Sequence, residues 1–370
     1  MHNRLRNGNG MTALCACSLA LASGAASAQS SVTLYGEIDG GLAYVNNVAD
    51  HALYKFTTGV IDGSFWGLEG TEDLGGGMKA VFKLERGFSI ATGEGFNDHP
   101  YYVGLGTDTL GTITLGHQYD SIHDYFAPFT LTGGTGGTAF AHPFDNDNAN
   151  NSFLASNSIK YTSETYAGFS FGGLYAFSNE AGQFANNRAW SVGANYSLGP
   201  FSAGAAYLHN NGRGNTAGGA YEPLNLPGPD RTVFSANVQR QNTFGVGASY
   251  VIGELTVAGA FSRSINSGVT NADTGDPASS IALNNYEINA TYQLTPAIAL
   301  AGMYNYTNGS GVHWHQGAVQ VDYLLSKRTD VYLESIYQRA SSGAPAVINT
   351  NDPASGNNQL MVAMGIRHRF

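Results

Sequence analysis

Polar and apolar residues alternate along most of this chain. In "SVTLYGEIDGGLAY", Val32, Leu34, Ile38 and Leu42 share one parity, and Thr33, Tyr35, Glu37 and Asp39 share the other. A period of two is the signature of a β-strand with one apolar and one polar face. "KAVFKLE" follows the same rule, with Ala80, Phe82 and Leu84 set against Lys79, Lys83 and Glu85. "AWSVGANYSL" and "YEINATYQL" repeat it, and "TFGVGASYVI" and "LTVAGAF" do so with smaller residues on the polar face. Aromatic residues gather near strand ends on the apolar parity: Tyr44, Tyr175, Phe177, Tyr196, Tyr250, Tyr292 and Tyr323.

The connections alternate as well. Short ones lie near Asp73, Leu110, Gly199, Gly253, Pro296 and Lys327, and long Gly/Asn/Asp/Ser-rich ones span 119–155, 211–230, 266–281 and 341–357. Strand, tight turn, strand, long loop is the rhythm of a membrane barrel, whose aromatic girdles sit at the two interfaces. At roughly 20 residues per strand and connection the chain has room for about 16 strands. The fold class predicted is all-β, a 16-stranded antiparallel transmembrane β-barrel. A soluble sandwich or β-helix also alternates, but it buries its apolar face and carries more surface charge.

Composition agrees. Charged residues are 12% of the chain, against about 25% in typical soluble proteins. Past the first residues no apolar run reaches the length of a spanning helix. The first residues read as an export leader: Arg4 and Arg6, then the apolar "MTALCACSLALA", then Ala26-Ser27-Ala28 as a small-residue cleavage site. This divides the chain into a signal peptide, 1–28, and a single barrel domain, 29–370. A lipoprotein reading through Cys15 or Cys17 leaves few apolar residues before the cysteine. Both cysteines lie in the leader, so the exported part has no disulfide, thiolate catalyst or cysteine-held metal. Removing 1–28 takes Arg4 and Arg6 and no acid, leaving 15 Lys and Arg against 27 Asp and Glu, a formal charge of −12. Such a balance disfavours nucleic acid as a partner.

Several stretches, in order along nearly the whole exported length, resemble the trimeric Gram-negative porins: "SSVTLYGEIDGGLAY", "GLEGTEDLGGGMKAVFKLERGF", "YVGLGTDTLGTITLGHQYD", "NSIKYTSETYAGFSFGGLY", "DYLLSKRTDVYLESIYQ" and the final "GIRHRF". The resemblance implies a 16-stranded general-diffusion porin of the outer membrane. It would be a homotrimer amid lipid and lipopolysaccharide, with a water-filled passage for small hydrophilic solutes and ions. It also implies an inward-folded third loop whose acids face a row of bases, a constriction that sets size and charge preference. A terminal aromatic, here Phe370, belongs in that family to the signal read by the barrel-assembly machinery.

The third loop is expected at about 119–155, with Phe126, Pro128, Phe129, Phe140 and Phe144 as apolar anchors. Its acids, Asp120, Asp124, Asp145 and Asp147, are the constriction candidates; "DNDN" at 145–148 also reads as a solvated tip. The facing wall departs from the family pattern. Relatives usually carry bases where this chain has Phe65 and Glu69, and often arginine at His99 and His117. The polar parity retains Lys79, Lys83, Lys160, Arg367 and Arg369, together with Glu37, Asp39, Glu69 and Glu85. His117 shares parity with Ile113 and Leu115, so it faces away from the passage unless a bulge intervenes. With histidine mostly neutral at pH 7, the expected passage tolerates or prefers cations.

Other classes leave weaker traces. Tyr35, Phe65, Tyr125 or Trp314, if they line the passage, would suit an oligosaccharide-specific porin. His313 and His315 in "HWH" share a strand face, but further metal ligands at convincing spacing are missing. No cofactor, metal or catalytic residue is expected. An outer-membrane enzyme barrel lacks a triad, and an adhesin barrel with a blocked lumen fits the single long loop poorly. In "GIRHRF" the parity of Phe370 runs back through His368, Ile366 and Met364, while Arg367 and Arg369 take the other face. This reads as a closing strand.

Overall fold

The computed structural model describes residues 31–182, 184–213, 224–227 and 233–370. The expected leader, and much of the loop expected at 211–230, lie outside them. Alternating segments become strands because each buries one parity and exposes the other. In chain order they are β1 (Ser31–Val48), β2 (His51–Thr58 continued by Phe65–Gly75), β3 (Met78–Phe88), β4 (Tyr101–Thr107), β5 (Gly111–Gln118), β6 (Ala155–Thr162), β7 (Phe169–Ala176) and β8 (Arg188–Leu198). There follow β9 (Phe201–Arg213), β10 (Val233–Ile252), β11 (Leu255–Asn271), β12 (Ile281–Thr295), β13 (Ile298–Gly309), β14 (Val312–Leu324), β15 (Thr329–Ala340) and β16 (Asn358–Arg369). Each pairs antiparallel with its chain neighbours. β16 returns to β1 in register from Glu37↔Arg369 to Val45↔Met361, closing a sixteen-stranded barrel. Beyond that ladder the Phe370 N–H donates to the Gly36 carbonyl at 3.1 Å.

All six tight turns expected from the sequence occur at strand ends, joined by a seventh at 163–168. The loop expected at 266–281 is shorter. β11 continues to Asn271, with Asn266 and Val269 buried inside the barrel. The polarity of Asn266, which reads as loop composition, is that of an inward face. β2 is interrupted at 59–64. There the Asp39 carboxylate accepts from the N–H groups of Ile61 (2.7 Å) and Asp62 (2.9 Å), drawing the interruption inward.

The two faces differ as a bilayer demands. Leu34 (61% exposed), Leu198 (64%) and Ile288 (65%) point outward. Tyr196, Tyr250, Tyr292 and Tyr323 are exposed toward the tight-turn end, and Tyr54, Tyr286, Tyr304 and Tyr337 toward the other. Glu37, Asp39, Ser191, Asn285, Gln316 and Glu334 are buried on the inner parity. Since lipid offers backbone groups no partner, a closed ladder is the β-structure that can sit in it. Ile288→Arg, in mid-strand on the outer face, is expected to destabilise the barrel by about 2–4 kcal/mol, read as a lower urea midpoint after refolding into vesicles.

Candidate functional site

The inner wall is built for one segment. Residues 119–154 leave β5, form a short helix α1 (Ser121–Tyr125) and a series of tight turns, and enter β6. Along the way they meet inward side chains of successive strands. Ser121 N–H donates to Ser191 Oγ on β8 at 3.0 Å. Leu131 N–H donates to Glu287 Oε1 on β12 at 2.7 Å, and Asn289 Nδ2 donates to the Phe129 carbonyl at 2.9 Å. Gln316 on β14 donates to the carbonyls of Phe140 and Ala141, both at 3.1 Å. Thr138 N–H reaches the Val60 carbonyl at 3.1 Å.

Glycine makes the close approach possible. A Cβ on Gly245 would stand 2.4 Å from the Phe126 ring, and one on Gly247 would stand 2.4 Å from Phe129 Cβ. The small residues on the inner parity of "FGVGA" are therefore sockets for aromatic knobs.

The four acids expected at the constriction have other partners. Asp120 is buried, caps α1 through Ile122 N–H at 2.5 Å and accepts from Asn148 Nδ2 at 2.7 Å. Burial pushes its carboxyl up to about 6, against the pull of those two donors. Asp145 accepts from the N–H groups of Asn150 (2.9 Å) and Ser152 (3.0 Å), tying a turn. Asp124 pairs with Lys160, whose ammonium also reaches the Tyr119 carbonyl at 2.9 Å. Burial opposes its ionisation, but Lys160 prevails and holds its carboxyl below the ordinary range. Asp147 is buried against His142 Nδ1 at 2.7 Å and accepts from Ser262 Oγ, while His142 Nε2 lies 3.0 Å from Glu287 Oε2 on β12. The reading of "DNDN" as a solvated tip fails here, because Asp145 and Asp147 are buried.

A cavity of about 1830 Å³ opens beside this segment. Its border carries the carboxylates of Glu37, Asp62, Asp98, Glu254 and Asp322, the guanidiniums of Arg367 and Arg369, and the imidazoles of His99, His117 and His123. None of the four third-loop acids is on that border. Arg369 lies 2.8 Å from Glu37 and 3.2 Å from Asp330, and Arg367 lies 3.1 Å from Asp330 and 3.5 Å from Asp322. His117 reaches the cavity because the β5–β6 register slips between Gly116 and Gln118, turning it to Ser156 Oγ (2.8 Å) and the Asn97 carbonyl (3.1 Å). His99 stands edge-on to Phe65 at 4.7 Å.

The remaining candidates are paired off the border. Lys79 meets Asp108 at 3.1 Å near a tight turn. Lys83 joins Glu85 (3.1 Å) and Glu69 (3.4 Å), with Tyr35 donating to Glu85. Asp39 also accepts from Tyr332. Of the aromatics, Tyr125 packs on Gly193, and Trp314 is buried with its N–H on the Pro345 carbonyl at 3.1 Å. His313 and His315 are exposed beside Tyr306, on the outer face. Asp62 and Asp98 belong to connections, where parity carries no signal, whereas Asp322 follows the polar parity of β14 and was legible.

Fold and cavity together define a membrane-spanning channel protein with a polar passage. The sequence profile described as Gram-negative porin matches residues 12–343. An outer membrane porin protein of Bordetella pertussis is 28% identical over 97% of this chain and 99% of its own, and outer membrane porin protein 32 of Delftia acidovorans is 27% identical over 96% and 99%. Among solved structures, the anion-selective porin from Comamonas acidovorans superposes with a TM-score of 0.75 at 23% identity, covering 92% of this chain and 100% of its own. The trimer form of OmpT from Vibrio cholerae gives a TM-score of 0.67 at 16% identity, covering 92% and 99%. This chain belongs to the Gram-negative porin family: it is an outer-membrane porin, a channel and not an enzyme.

The buried His142 bridge gives the segment a pH signature. Burial alone would depress the imidazole, but Asp147 and Glu287 outweigh it and hold His142 up at about 10. A raised pKa stabilises the fold fully below the unfolded value of about 6.5 and loses that contribution as pH rises through about 10. The urea midpoint is expected to fall across that window in the wild type, and to fall less in His142→Gln.

Proposed function

We propose that this porin is a homotrimeric, general-diffusion channel for small hydrophilic solutes and ions that carries cations ahead of anions. The observation supporting the preference is the cavity border, which among the described residues carries five carboxylates against two guanidiniums. Those guanidiniums pair with Glu37 and Asp322, which leaves Asp62, Asp98 and Glu254 as the border acids in excess. Histidines stand at positions where the family resemblance leads one to expect fixed cations, and they add little charge at pH 7. Transport is passive. Residues 119–154 narrow the passage, and their acids shape that segment while Asp62, Asp98 and Glu254 set the field a solute meets. The trimer form of the Vibrio cholerae protein supports the same assembly here. The leader 1–28 is removed on export.

Reversal potentials across planar bilayers in a KCl gradient test the preference. A potassium-selective potential, weakened in an Asp62→Asn/Asp98→Asn double variant, is expected, with insertions resolving into three substeps. A clear chloride preference, the property named for the Comamonas acidovorans porin, would overturn the selectivity; absence of stepwise conductance would overturn the open channel.

Phe370 is proposed as part of the assembly signal, placed where β16 meets β1. Phe370→Ala is expected to leave export intact and to reduce heat-resistant oligomers on unboiled gels. Wild-type amounts of such oligomers would count against this role.

A further inference from the structure

Glu334 on β15 is 1% exposed, and neither of its carboxylate oxygens has a hydrogen-bond partner. Directly across the β14–β15 ladder stands Gln320, its register partner. Such pairs bring their Cβ atoms to about 4.5–5.5 Å on one face of the sheet. The Gln320 amide nitrogen donates to the Thr135 carbonyl at 3.0 Å, which fixes the amide's orientation. Its Oε1 is then left buried without a donor. Two facing side chains thus carry three buried acceptor oxygens that no N–H or O–H of the described residues satisfies. Leaving buried acceptors unpaired is costly, most of all for a carboxylate.

The surrounding charge deepens the deficit. Asp39 on β1 is close enough to act on Glu334 electrostatically, and its own oxygens are taken by Tyr332, Ile61 and Asp62. Arg367 and Arg369 from β16 are engaged elsewhere, by Glu37, Asp322 and Asp330. Among the described residues no cationic side chain bonds to Glu334. The covering turn at 136–138 presses on the spot, since a Cβ on Gly137 would meet Glu334 Oε2 at 2.3 Å.

We propose that Glu334 and Gln320 form a binding site for a hard divalent cation of the Ca²⁺ type, beneath the turn at 136–138. Two carboxylate oxygens and an amide carbonyl are ligands such an ion takes, with water completing its shell. Gln320, Gly136 and Thr138 border the large cavity, and Glu334 lies buried behind them, so an ion would enter past Gln320 as the turn gives way. The ion neutralises the excess acid and fastens the crossing segment to the β14–β15 wall, next to the Gln320–Thr135 bond. The site stands independently of the channel's ion preference.

Terbium is the probe. Crystals of the full-length protein soaked in Tb³⁺ are expected to show an anomalous peak between Glu334 and Gln320 that Ca²⁺ displaces. A peak confined to other acids, or none, overturns the proposal. In solution, tyrosine-sensitised Tb³⁺ luminescence, with Tyr332 on the same strand, is expected to saturate at a Ca²⁺-displaceable site. Its affinity is expected to drop about tenfold or more in Glu334→Gln and in Gln320→Leu. Each variant is checked for the heat-modifiable migration of a folded barrel. Identical titrations in wild type and folded Glu334→Gln would overturn the site.

Discussion

The closed ladder between β1 and β16 is the constraint on which everything else rests. At bilayer depth each backbone N–H and C=O must find its partner within the protein, and an open edge would leave a row of them in hydrocarbon. The register Glu37↔Arg369 to Val45↔Met361 removes that edge. Closure also forces the inversion of ordinary globular packing. Leucine, isoleucine and valine go outside, and serine, asparagine, glutamine and acids go inside. A polar interior then follows from the architecture, and with it the possibility of an aqueous passage.

That interior brings its own difficulty, because inward polar groups that do not face water need partners. Residues 119–154 supply many of them. Their carbonyls and N–H groups answer Gln316, Gln320, Glu287 and Asn289, and their aromatic knobs fill the sockets at Gly245 and Gly247. His142 ties Asp147 to Glu287 across the same contact. Charge is divided accordingly. Acids of the segment hold it in shape, while acids from β1, β14 and the connections at 59–64 and 89–100 border the cavity.

Much of this was legible residue by residue, and the failures have a common cause. Parity marked the outer face of β1, β8 and β12 and the closing strand, since a period of two survives wherever one face meets lipid. It misplaced the end of β11, because Asn266 looks like loop when polar residues are the interior. Simple parity turns His117 outward, and the bulge that redirects it, the register slip at Gly116–Gln118, is a pairing event between strands. It could not separate Asp120 and Asp147 from cavity acids, because capping a helix or meeting His142 depends on where the chain folds back. Asp62 and Asp98 went unnoticed for the same reason.

The sequence by itself determined the barrel, its approximate strand count and, on strands such as β1, β8 and β12, the side that faces lipid. These depend on solvent preference and local periodicity, which every strand carries in its own residues. Only the tertiary structure decided which charges border the passage and which are consumed in holding the crossing segment. A carboxylate's role is set by the donors that reach it, and those donors come from strands far away in the chain.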